Sequence, residues 1–124
     1  IEKLKKRAES QDREEAAAAQ RMLATAFVNA GFYEPRDYFA KGDFRRAAGM
    51  LRIAMAIWPG VPHVCYQLAR ATAQLGEVDE AFKALDCGLE ADWATKELVE
   101  SDSLLEPLRA DPRLKIMIEG LIQK

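Results

Sequence analysis

Apolar residues recur along most of this chain at the three-and-four spacing of α-helices, and the stretches between them carry residues that stop helices. Residues 1–15 are the exception. Acidic and basic side chains interleave there over a thin apolar trace of Leu4 and Ala8. Glu2 with Lys6, and Glu9 with Arg13, stand four apart with the acid first, which lends weak support to an exposed helix. From Ala16 the pattern turns apolar: Ala16 to Ala19, Met22, Leu23, Ala26, Phe27 and Ala30 predict the buried half of a long first helix that stops near Gly31. Pro35 cannot sit inside an unkinked helix, so it is expected to open a short new one that includes Tyr38 and Phe39. Asp43 is a good N-cap for a helix whose stripe is Phe44, Ala47, Ala48, Leu51, Ala54, Met55 and Trp58, ended by Pro59 and Gly60. Pro62 opens the next, with Val64, Cys65, Leu68, Ala69, Thr72 and Leu75 inward. Gly76 turns the chain into a helix lined by Val78, Ala81, Phe82, Leu85 and Leu89. Thr95 can cap a short helix through Val99, and Leu104, Leu105 and Leu108 cluster around Pro107. Asp111-Pro112 opens a last helix carrying Leu114, Ile116, Met117, Ile118, Leu121 and Ile122. The fold class is all-α.

Two of these segments are one segment written twice. Gly42 matches Gly76, Phe44 matches Val78, Ala47 matches Ala81, Leu51 matches Leu85 and Ala54 matches Gly88, each pair offset by 34 positions. The small residues Ala47, Ala54, Ala69, Ala81 and Gly88 let neighbouring helix axes approach closely. A turn Gly42, an aromatic Phe44, small Ala47 and Ala54 and a closing Pro59 resemble the tetratricopeptide repeat. The run from Ser101-Asp102 through Leu105, Pro107-Leu108-Arg109 and Asp111-Pro112-Arg113 resembles the segment that closes many bacterial arrays of that family, with Leu114 where an aromatic is common. The resemblance covers residues 35–120 and is strong from Gly42 onward. It implies a helix-turn-helix stack: an N-terminal helical extension or linker over residues 1–31, a first repeat over 32–61, a second over 62–95 and a capping tail over 96–124. Gly31, Glu34 and Pro35 depart from the family's signature in the first repeat, where only Tyr38 fits. A broken or kinked first helix is therefore expected there.

Composition and charge narrow the picture. A formal net charge of −2 leaves no basic footprint for nucleic acid. No apolar run approaches the roughly 20 residues that span a bilayer, so membrane insertion is not expected. The chain begins at Ile1, not Met, and reads as a piece of a longer bacterial protein or a processed form, soluble and with a cytoplasmic setting favoured. Cys65 and Cys87 fit no metal or redox spacing and fall on different helices. They read as two small reduced side chains, with Cys87 facing outward as a surface thiol; a disulfide is the alternative.

Enzyme chemistry finds no constellation. His63, the only histidine, has no metal-spaced companion, and Ser10, Ser101 and Ser103 sit far from it in sequence in charged or capping contexts. Glu77, Asp79 and Glu80 fall in a helix first turn, where the dipole favours acids over any metal site. No phosphate-cradling glycine loop is present, and no cofactor is expected. The resemblance instead implies a groove lined by the first helix of each repeat, which places His63, Tyr66, Arg70, Ala73 and Gln74 on the concave face, with Asn29, Phe32, Arg36 and Phe39 at the matching positions before them. Tyr66 offers a flat contact and Arg70 a fork for a carboxylate. Phe32 and Phe39 read as core against the N-terminal helix. The expected function is noncatalytic binding of a protein or peptide, through a groove made of Arg36, His63, Tyr66, Arg70 and Gln74. The alternative is a structural spacer or self-association unit beside an absent domain, pairing weakly as a homodimer through the helix over residues 16–30.

Overall fold

The computed structural model describes residues 13–122. Its elements, in chain order, are α1 (Arg13–Val28), a π-turn (Asn29–Tyr33), α2 (Glu34–Ala40), α3 (Phe44–Ile57), α4 (Pro62–Gln74), α5 (Val78–Gly88), α6 (Lys96–Ser101), a 3-10 helix (Ser103–Leu108) and α7 (Pro112–Ile122). No strand occurs among the described residues. The charged pairs suggested before residue 13 lie outside the described residues.

The 34-residue offset is visible in the backbone. Lys41 and Leu75 close their helices, and the next two residues make the same two bonds in each. The Gly42 N–H donates to the Phe39 carbonyl and the Asp43 N–H to the Tyr38 carbonyl; the Gly76 N–H donates to Ala73 and the Glu77 N–H to Thr72. This is the paired closure in which a residue with positive φ ends the helix. Gly42 has φ 72° and Gly76 φ 77°, a conformation that a side chain disfavours. Asp43 then caps α3, its carboxylate accepting from the Arg46 N–H at 3.2 Å. The tail keeps the same register. Lys96–Leu108 and Pro112–Ile122 sit 34 residues after Pro62–Gln74 and Val78–Gly88, with Asp102 breaking the first of them into α6 and the 3-10 helix.

Between these turns the apolar stripes form one core. Ala47, Leu51 and Ala54 of α3, Val64, Leu68 and Ala69 of α4, and Ala81, Phe82 and Leu85 of α5 are buried together with Leu23 and Phe27 of α1. The four small alanines, Ala47, Ala54, Ala69 and Ala81, are 0% exposed, as close helix packing requires. Leu105 and Leu108 of the tail are equally buried and lie over α4. Some stripe residues expected inside are not: Ala17 and Met22 are exposed on α1 and Trp58 at the end of α3, and on α7 Ile116 is 68% exposed. Trp58 stands past the end of α3 in extended conformation and leans edge-on against Phe27 at 4.8 Å between ring centroids.

The helix expected to stop near Gly31 does not stop. It passes through the π-turn into α2, with the Glu34 N–H donating to the Asn29 carbonyl. A wider turn before Pro35 is the physical reason. Proline brings no N–H and its ring crowds the preceding turn, and a π-turn relieves both without ending the helix.

The two cysteines are also corrected. Cys65 on α4 and Cys87 on α5 form a disulfide with their Cα atoms 5.7 Å apart, and no free thiol occurs among the described residues. The cause is hairpin geometry. Both stand at equal sequence distance from the turn at Gly76, so antiparallel α4 and α5 bring them face to face. Beside them Gly88 touches the backbone of Tyr66, where a Cβ would lie 2.8 Å from the Tyr66 Cα.

Candidate functional site

α4 presents one edge between the π-turn and α2 on one side and the tail on the other. A cavity of about 760 Å³ opens on the first side, lined by Val28, Phe32, Tyr33, Arg36, Phe39, His63, Gln67 and Arg70 among others. A smaller hollow of about 440 Å³ continues on the second side past His63, Gln67 and Arg70 to Tyr66, Trp93 and Asp102. The two share three residues of α4, so they form one trough crossing that helix.

Its aromatic wall is ordered by ring packing. Phe32 stacks flat on His63, centroids 4.5 Å apart and planes 2° from parallel, and meets Phe27 edge-on. Trp93 meets both His63 and Tyr66 edge-on. Phe39 packs against Phe44 and lies under the Arg70 guanidinium at 5.4 Å. Phe32 and Phe39 are therefore half-buried walls of the trough as well as packing residues. His63 is held between rings at the start of α4, and burial pushes its pKa below the ordinary histidine value.

The polar floor is tied to the tail. Asp102 is the hub. Its Oδ2 accepts from the Tyr66 hydroxyl at 2.8 Å and lies 3.0 Å from Arg70 Nε, and its Oδ1 accepts from the Leu104 N–H, starting the 3-10 helix. Arg70 Nε is buried and its approach to Asp102 is an ion pair, off the angle of a hydrogen bond. Nη1 of the same guanidinium donates to Gln67 at 2.8 Å. Burial first, then the bond to Asp102, raises the Tyr66 hydroxyl pKa well above that of a free phenol.

Arg36, His63 and Arg70 thus come together around the main cavity, while Tyr66 reaches only the smaller hollow. Tyr66 is just 3% exposed, and Ala73 is fully buried. Gln74 lies outside both spaces, its Nε2 donating to the Leu104 carbonyl at 2.9 Å. The tail packing across α4 binds Tyr66 and Gln74. Among the described residues nothing pairs with the exposed Arg36, whereas the charge of Arg70 is met by Asp102.

Sequence reasoning missed Gln67, Tyr33, Trp93 and Asp102 as trough residues. Gln67 was within reach, being one helical turn beyond His63 on the same face. Tyr33 and Trp93 depend on a π-turn and on a loop path that periodicity does not encode. No cluster of His, Cys, Asp and Glu among the described residues could hold a metal ion. The acids at the start of α5 serve other elements. Glu77 and Glu80 both bind Arg52 of α3 at 2.7 Å, and Asp79 binds Arg113 of α7 at 3.0 Å.

A family model described as tetratricopeptide repeat matches residues 38–111, more than half of the chain. No curated protein and no solved structure matches it.

Proposed function

This chain belongs to the tetratricopeptide repeat family, whose repeats generally mediate protein–protein interaction, and we propose that it is a noncatalytic module gripping a partner's peptide segment in the trough across α4. The observation that carries this reading is the main cavity itself. It pairs an aromatic wall of Phe32, Tyr33 and Phe39 with the uncompensated cation Arg36, a combination that suits an apolar side chain beside a carboxylate. His63 and Gln67 add polar groups that can orient a peptide backbone. The family is typically noncatalytic, which accords with this reading. Among the described residues no helix is long and apolar enough to cross a membrane.

Tyr66 and Arg70 are poor probes because both hold Asp102. Tyr33 and Arg36 are exposed and free to test. The isolated domain serves as bait beside a Tyr33→Ala/Arg36→Glu variant and a Lys83→Glu control on the outer face of α5. A protein retained by the native and control baits and lost from the double variant supports the trough. Equal retention by all three baits overturns it.

A second reading has its own observation. Met22 is half exposed on α1, beside a shallow hollow lined by Ala18, Thr25 and Ala26, a face that could meet a second copy. Light scattering across a concentration series separates the two, since a monomer at every concentration removes self-association.

A further inference from the structure

We infer that this domain matures and works in an oxidising compartment, outside the reducing cytosol, with the Cys65–Cys87 disulfide as a permanent part of its fold. Three observations support permanence over a switch. First, the bond joins α4 and α5, the most extensively packed pair of helices among the described residues, so it lies within an interface that packing already forms. A redox switch needs two arrangements to choose between, and here the packing around the bond specifies one. Secondly, Cys65 is 0% exposed and Cys87 only partly accessible, which shields the Cys65 sulfur from an attacking thiolate and slows exchange with small thiols. Thirdly, the neighbouring Gly88 lets the backbone of α5 lie directly against that of Tyr66, so close packing beside the bond favours the same short approach of the two helices.

Formation of the bond is a two-electron oxidation. Two thiols lose two protons and two electrons, and the acceptor is the disulfide of a protein thiol oxidase, which is itself reduced to a dithiol. Such acceptors keep bonds oxidised in secretory and extracytoplasmic spaces, whereas cytosolic thiol pools reverse them. This reading departs from the cytoplasmic setting slightly favoured in the sequence analysis. The inference does not depend on what the trough binds.

The test reads the bond in the cell that makes the protein. Unstressed cells are quenched in acid, denatured, alkylated and digested with trypsin without reduction. The segment over residues 53–70 carries Cys65 and the segment over 84–96 carries Cys87. The linked pair is expected in about tenfold or greater excess over the two alkylated segments, as for a bond resistant to cellular thiols. Alkylated segments with no linked pair would overturn the inference. So would a linked pair that appears only after an oxidant is added, since that is the behaviour of a cytosolic sensor.

Discussion

Gly88 is the residue with the least freedom. A Cβ there would sit within 2.9 Å of the backbone nitrogen, Cα and Cβ of Tyr66, none of which can turn aside. Gly88→Ala is expected to cost about 1–3 kcal/mol through overpacking, read as a lower urea midpoint with helicity retained. Asp102 is constrained by chemistry instead. Asp102→Ala strands the Tyr66 hydroxyl and the partly buried Arg70 guanidinium, and is expected to cost about 2–3 kcal/mol, whereas Asp102→Asn keeps an acceptor and loses less. Urea titration of both variants checks the order. His63 adds a pH signature. Its folded pKa lies below the unfolded value, so the unfolded chain binds more protons as pH falls through about 6.5, and stability drops in that window. Glu80, held low by its bond to Arg52, and Asp111, held low by Arg113, are shifted in the same direction and also lose stability as pH falls, but only further down, below about 4. Unfolding midpoints at several pH values in native protein and His63→Gln resolve the two windows: the variant should lose the upper step and keep the lower.

At the scale of elements, the two closures at Gly42 and Gly76 are the same object. Each pairs a positive-φ glycine with a bond from the next residue back to Tyr38 or Thr72. Gly42→Ala and Gly76→Ala are therefore expected to cost about 1–2 kcal/mol each, by nearly equal amounts, as thermal unfolding of the two variants would show. These turns and the stripes they join were legible in the sequence because both are local. A glycine at fixed offset marks the turn, and the three-and-four spacing marks the buried face. The helix break near Gly31 was misread because proline was credited with ending a helix when a π-turn can absorb it. The candidate trough was legible in part. Arg36, His63 and Arg70 could be placed by repeat position, but Tyr66 and Gln74 are covered by the 3-10 helix, whose path across α4 has no signature in periodicity.

At the scale of the molecule, the Cys65–Cys87 bond closes a loop whose ends are 22 residues apart, and its reduction is expected to lower stability by about 3 kcal/mol through the freedom returned to the unfolded chain. Thermal unfolding with and without reductant measures this, and Cys65→Ala/Cys87→Ala should melt near the reduced protein. The pairing was hidden in the sequence because it follows from where α4 and α5 turn back on each other, not from the spacing of the cysteines as a motif. The π-turn over Asn29–Tyr33 has a different consequence, one for how this chain tolerates insertion and deletion. A π-turn holds one residue more than the α-turn it replaces. Removing a single residue there would restore the ordinary pitch and leave Leu23 and Phe27 facing the core, whereas a deletion within α1 itself would swing the helix upstream of it by about 100°. Length change is usually accommodated in loops; here one extra residue is stored inside a helix, and the wall of the trough is built on it.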